Sequence, residues 1–218
     1  MSLFASLLRD FRRTASDLPG LFSGHFCVMF LPLAPLLGDE ATLPGYYSDQ
    51  TYFCRLRETY TDPLAPYRCK KHLKNSCCVI LELDGLGSFV FTNHYHSALF
   101  QNLQRRFPGV TSYVFCSDGP GGYFKILKDG RIQRKVASYM YFEGMGSYAE
   151  TRGAPCAYEL ETGHIFKVDP KARHLREMMP DFTKREVLDL FDYYVGLDRF
   201  QSEALRRTLV YDLESPNT

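Results

Sequence analysis

The chain has no tryptophan, no excess of either charge and no apolar run long enough to cross a bilayer. Its 26 basic residues against 25 acidic ones leave a net charge of +1, which argues against a dedicated nucleic-acid binder, whose phosphate contacts demand a basic surplus. The longest apolar stretch runs from Phe26 to Leu37 and is broken by Pro32 and Pro35. It falls well short of the roughly 20 residues of a membrane span, and without a basic lead-in it does not read as a signal peptide. Internal repeats, low-complexity tracts and Gly/Ser linkers are also missing. What remains is an ordinary globular composition, 45% hydrophobic and 23% charged, which excludes a disordered tail, a collagen-like repeat and a small disulfide scaffold. At 218 residues the chain can bury a core without metals or staples. The expectation is a single α+β domain over residues 1–218, with 1–75 as the stretch that could form an N-terminal subdomain.

Seven cysteines, at positions 27, 54, 69, 77, 78, 116 and 156, are an odd number in a chain without a secretory signal, so reduced thiols and a cytoplasmic location are expected. Near the start, Leu3, Phe4, Leu7, Leu8 and Phe11 share one helical face, as in a helix docked on a core. His25 to Leu31 and Cys77 to Leu83 are apolar on both alternating faces and read as central strands covered on both sides. Asp84-Gly85-Leu86-Gly87 then turns the chain into a short strand, Ser88 to Thr92. Asn93 is placed to cap a helix from His94 to Phe107, on which His94 and His96 diverge and so do not form a metal pair.

Thr111 to Cys116 reads as a strand, followed by a hairpin around Lys128-Asp129-Gly130. A three-residue loop with Gly130 in a bulge puts Phe124, Ile126, Ile132, Val136, Met140 and Phe142 on one face and Tyr123, Lys125, Arg131, Gln133, Lys135, Tyr139 and Tyr141 on the other. The strongest local signal is a helix from Lys184 to Val195. Thr183-Lys184-Arg185-Glu186 forms its capping box, Phe182 and Val187 its staple, and Gly196 its stop. Glu186, Asp189, Asp192 and Tyr193 fall on its outward side. A short helix is expected over Arg199 to Leu209. These elements make a central, mostly antiparallel sheet with a β-meander and flanking helices.

Chemical motifs are sparse. The glycine run Gly119 to Gly122 lacks the Lys-Ser/Thr of a phosphate loop and leads into a strand. Cys54, Cys69, His72, Cys77 and Cys78 lie close in sequence, yet only Cys69 and His72 have a zinc-knuckle spacing, so no metal site and no cofactor is assigned. Cys116 beside the glycine run is the cysteine best placed to be a nucleophile, although a buried thiol is the commoner role. Glu159 and Glu161 could pair on one strand face as glycosidase carboxylates do, but their acidic setting is explained by solvation. The alternative to a binding protein is thus a Cys/His metal-binding or thiol-dependent enzyme.

Charge is unevenly spread. Arg55 to Lys74 holds six basic residues against two acidic ones, and Glu177 to Thr218 holds nine acidic against five basic. An outward helix face bearing Glu186, Asp189 and Asp192 beside Tyr193 suits a basic protein partner, since complementary fields speed encounter and tyrosine supplies anchor area.

The segment from Gly122 to Arg134, an aromatic strand, an Asp-Gly turn and an Arg-bearing strand, together with the later Gly153-Ala-Pro-Cys-Ala-Tyr-Glu159, resembles a β-meander of bacterial immunity proteins, the antidotes of polymorphic and type VI secretion toxins. About 40 residues carry the resemblance. It implies a small cytoplasmic α+β protein that is not an enzyme. Such a protein binds a cognate toxin stoichiometrically, by occlusion or by locking its conformation, without nucleic acid or membrane. The narrowest form implies a restriction-endonuclease-like nuclease as the toxin, although near-neutral charge and absent tryptophan depart from that picture. On this reading Glu186, Asp189, Asp192 and Tyr193, with Tyr123, Tyr139 and Tyr141 of the hairpin, form the partner-binding residues.

Overall fold

The computed structural model describes residues 25–33, 40–44, 51–60, 77–92, 97–118, 121–142, 146–168, 182–197, 200 and 205–214. Ten strands make one sheet: β1 (His25–Leu31), β2 (Glu40–Pro44), β3 (Thr51–Tyr60), β4 (Cys77–Leu83), β5 (Gly87–Thr92), β6 (Thr111–Asp118), β7 (Gly121–Lys128), β8 (Arg131–Phe142), β9 (Gly146–Arg152) and β10 (Leu205–Glu214). Their order is β2-β3-β10-β4-β5-β1-β6-β7-β8-β9, and neighbouring strands pair antiparallel throughout. Among the described residues three helices accompany them: α1 (Ser97–Arg105), α2 (Ala157–Thr162) and α3 (Lys184–Val195). The molecule is predominantly β, with the expected meander in β6 to β9.

Strand β1 lies between β5 and β6, and its residues Cys27 to Leu31 are all buried, as both-face apolarity dictates. Alternation splits the core in two. Val28, Phe30, Val79, Leu81, Phe89, Phe115, Phe124 and Val136 point to the face covered by Val187, Leu188, Phe191 and Val195 of α3. Cys27, Met29, Cys78, Ile80, Val90, Val114, Cys116, Tyr123 and Ala137 point to the other, under Phe100 and Leu103 of α1. Burial of this aromatic and branched-chain surface on both sides is the main stabilising term.

The β7–β8 turn differs from the expected three-residue loop. Lys128 pairs with Arg131, and Asp129 (φ 51°) with Gly130 (φ 67°) form a two-residue turn whose left-handed geometry matches strand twist. The register shifts after Leu127–Ile132, so that Ile126 faces Arg134 and Gln133 is the extra residue of a bulge. Ile132 consequently packs on the α1 side instead of beside Phe124. The three-residue loop is favoured only if one face must collect the apolar residues. Here both faces are covered, so the tighter turn carries no exposure penalty.

Helix α3 follows its sequence signals. Thr183 Oγ1 accepts from Glu186 N at 3.4 Å, Glu186 Oε2 accepts from Thr183 N at 2.6 Å, and Gly196 closes the helix in the left-handed region. Phe182 and Val187 are both buried in the same cluster. Of the segment expected as a helix, Arg199 to Leu209, the stretch Leu205 to Leu209 is instead the start of β10, inserted between β3 and β4, while residues 199 and 201–204 lie outside the described residues. Leu209 goes to the α1 face and Val210 to the α3 face, an alternation that a slot between two strands rewards and a helix would destroy. The expected N-terminal helix, Asn93, His94 and His96 lie outside the described residues.

Candidate protein-binding face

The face begins with a buried ion pair. Arg134 on β8 donates from Nε to Glu159 Oε2 at 2.8 Å and from Nη2 to Oε1 at 2.5 Å. The same guanidinium bonds the carbonyls of Gly153 (2.9 Å) and Phe166 (3.0 Å), while the Glu159 carboxylate accepts from the amides of Cys156 (2.8 Å) and Phe166 (3.0 Å). Both ends of the segment carrying α2 are thus tied to the sheet through one bidentate pair. Burial by itself would push the Glu159 carboxyl up, but the Arg134 and Cys156 hydrogen bonds outweigh it and hold the group below its ordinary value. Gly153 (φ 85°) is obligatory at the entry, because a Cβ there would lie 2.0 Å from the carbonyl oxygen of Gln133 in the bulge.

Glu159 and Glu161 therefore do not form a carboxylate pair on a strand. Both sit on α2, where Glu159 points inward to Arg134 and Glu161 is exposed. The sequence does carry a signal for this helix: Cys156 at the cap position, glutamate three residues on, and Gly163 (φ 71°) as the left-handed stop.

Aromatic rings then lock α2 to α3. Tyr194 stacks on Tyr113 (4.9 Å between centroids) and Phe124 (5.8 Å), and Tyr193 meets Tyr194 and Tyr158 edge-on at 5.0 and 5.2 Å. Phe166 contacts Tyr158, His164 and Phe182. Burial pushes the Tyr194 hydroxyl and the Cys156 thiol up, which disfavours the thiolate.

On the outside of this frame Leu160 is 67% exposed and Tyr193 44% exposed. The Tyr193 hydroxyl donates to Glu161 Oε2, which pushes the phenol up. Glu186 shares its carboxylate between the Thr183 cap and His164 Nε2 at 3.8 Å. Asp189 is half-buried and close enough to Tyr158 to raise its hydroxyl, after burial. Asp192 is turned to the helix end, where it accepts from Leu197 N at 2.8 Å. The surface that gathers Tyr193, Asp189 and Glu186 is completed by Leu160, Glu161 and His164 of the α2 segment, which helix periodicity within α3 does not disclose.

Of the three hairpin tyrosines, Tyr123 is the one with a described side chain, and it does not join this face. Tyr123 is 4% exposed on the opposite, α1 side of the sheet, where its hydroxyl lies 3.6 Å from Cys27 Sγ. Its expected outward position is corrected by the helical cover on that face. The side chains of Tyr139 and Tyr141 lie outside the described residues, although both belong to β8.

Cys27 and Cys116 face each other across β1 and β6 and form a disulfide, which corrects the expectation of reduced thiols at this pair and removes Cys116 as a nucleophile. The side chains of Cys54, Cys69, His72 and Cys77 lie outside the described residues, and among the described residues no three His, Cys, Asp or Glu side chains gather as metal ligands. Gly121 and Gly122 belong to β7, with Gly122 bonded to Ser138 Oγ, so this part of the glycine run is strand. No described helix is long and apolar enough to cross a membrane. No family model, curated protein or solved structure matches the chain.

Proposed function

We propose that this chain is an immunity protein that neutralises a cognate bacterial secreted toxin, acting by stoichiometric binding in the cytoplasm and not by turnover. The contact face is the outer surface of α2 and α3. The observation that carries this reading is the exposure of Tyr193 and Leu160 beside Glu161, on a frame fixed from below by the Arg134–Glu159 pair. Aromatic and aliphatic anchors held in place lose little entropy on binding, and the surrounding carboxylates favour a basic partner surface. The β-meander resemblance supplies the toxin as partner, with a nuclease as its narrowest form.

The test is co-expression with the secreted toxins of the source cell. One toxin is expected to lose its toxicity and to be recovered with the chain as a 1:1 complex, and Tyr193→Ala with Leu160→Ala is expected to weaken that complex at least tenfold. Persisting toxicity with every toxin overturns the antidote reading. Unchanged affinity of the double variant overturns the assignment of the face.

A further inference from the structure

On the other side of the sheet, Lys125 of β7 is 5% exposed. It sits directly opposite Lys135 of β8 and beside Val114 of β6. Lys135 is matched by its ion pair with Glu150 of β9. Lys125 has no such partner among the described residues; its ammonium position lies 4.4 Å above the ring of Tyr123 and makes no carboxylate contact. Like charges directly opposite on a sheet repel, and a buried ammonium without a counterion is costly. The fully enclosed side-chain N and O atoms without a hydrogen bond are Ser88 Oγ and Ser112 Oγ among the described residues, so Lys125 Nζ keeps contact with solvent.

We propose that the Lys125 amine is a nucleophile that condenses with small, uncharged aldehydes to an imine, because it is buried opposite a second lysine with no counterion of its own among the described residues. The nitrogen lone pair forms a bond to the carbonyl carbon. The carbonyl oxygen takes up one proton as the nitrogen gives one up, and the resulting carbinolamine loses water to leave the C=N bond. No oxidant, reductant or activated donor is required. Neutral aldehydes fit because they bring no further charge into a site that already holds two amines. The amine is in the reactive form at neutral pH: burial first, and then Lys135, lower it to about 7, against a smaller opposing pull from Glu150. About half of such amines are uncharged at pH 7, against fewer than roughly one in a thousand for an ordinary lysine. The lower basicity makes the nitrogen intrinsically less nucleophilic, which offsets part of that advantage.

The experiment treats the full chain with acetaldehyde and cyanoborohydride, which reduces the imine to a stable ethylamine, and follows each lysine by peptide mass spectrometry. Lys128, exposed on the same strand, is the internal reference. At pH 7 Lys125 is expected to be modified at least tenfold faster than Lys128, with the ratio collapsing above pH 10. Lys135→Met removes the repelling charge and frees Glu150, so it is expected to slow modification of Lys125 at pH 7. Equal rates at the two lysines, or a ratio that does not change with pH, overturn the proposal. The pH profile of the unsubstituted chain suffices if the variant does not fold.

Discussion

Arg134 and Glu159, 25 positions apart, meet as a bidentate pair in which each side chain also bonds the backbone on both sides of α2. The side chains are 5% and 0% exposed. Removing one partner leaves the other charge buried and unmatched. Glu159→Gln is expected to cost about 3–5 kcal/mol in urea unfolding. A loss below about 1 kcal/mol would show that the pair does not anchor the segment.

Acid titration gives the same pair a second readout. The Glu159 carboxyl is held below its ordinary value of 4.5, so the folded chain releases this proton more readily than the unfolded one. Its stabilisation is complete above 4.5 and disappears as pH falls through the lower, folded value. The unfolding midpoint should therefore drop on acidification below pH 4.5, and Glu159→Gln should flatten that part of the curve.

Tyr193→Ala is read with its stability measured beside it. The side chain is 44% exposed, hydrogen-bonds Glu161 and meets the Tyr158 and Tyr194 rings edge-on, so the variant is expected to lose about 1 kcal/mol in urea unfolding and to stay folded while binding falls further. Reversal of charge in Glu161→Lys is expected to slow association with a basic partner several-fold at low salt, with the difference shrinking as salt rises. Stopped-flow association at two ionic strengths reads both effects.

Lys125→Met should raise stability at neutral pH. A lysine lowered from 10.5 to about 7 binds fewer protons in the folded chain, so between those values stability increases with pH. The variant removes this dependence, and its advantage at pH 7 should vanish near pH 10.5. A gain of about 2–4 °C in Tm for each kcal/mol recovered is expected at pH 7.

The Cys27–Cys116 disulfide links β1 to β6 across 89 residues. Closing a loop of that order removes about 4.6 kcal/mol of unfolded-state entropy in the chain-entropy view. Reduction should lower the denaturation midpoint without altering the strand register, because the two residues are already paired by the sheet. In the proposed cytoplasmic setting the bond must persist against a reducing pool, so thiol titration of chain isolated from its source is expected to leave Cys27 and Cys116 unlabelled.

Local signals settled much of this fold. The Thr183–Glu186 box, the Phe182–Val187 staple and Gly196 delimit α3 because capping chemistry is written within a few residues. Two-sided apolarity places β1 and β4 in the sheet interior for an equally local reason: strand side chains alternate, and both sets here are hydrophobic. Of the proposed contact face, Tyr193, Glu186 and Asp189 are legible as the outward side of that helix.

What periodicity does not contain is which faces another element covers. The β7–β8 turn is tight because α1 shelters Leu127 and Ile132, and Tyr123 is buried for the same reason. Leu205 to Leu209 has spacing compatible with a helix, and the open slot between β3 and β4 makes it a strand. The joining of Glu161 and Leu160 to Tyr193, the Cys27–Cys116 pairing and the facing of Lys125 by Lys135 all depend on partners brought together from different elements. Alternation, capping and turning are readable along the chain, since those preferences act over one or two turns of backbone. Which charges and rings meet follows from the packing of distant elements, because burial and pairing are set by what covers each face.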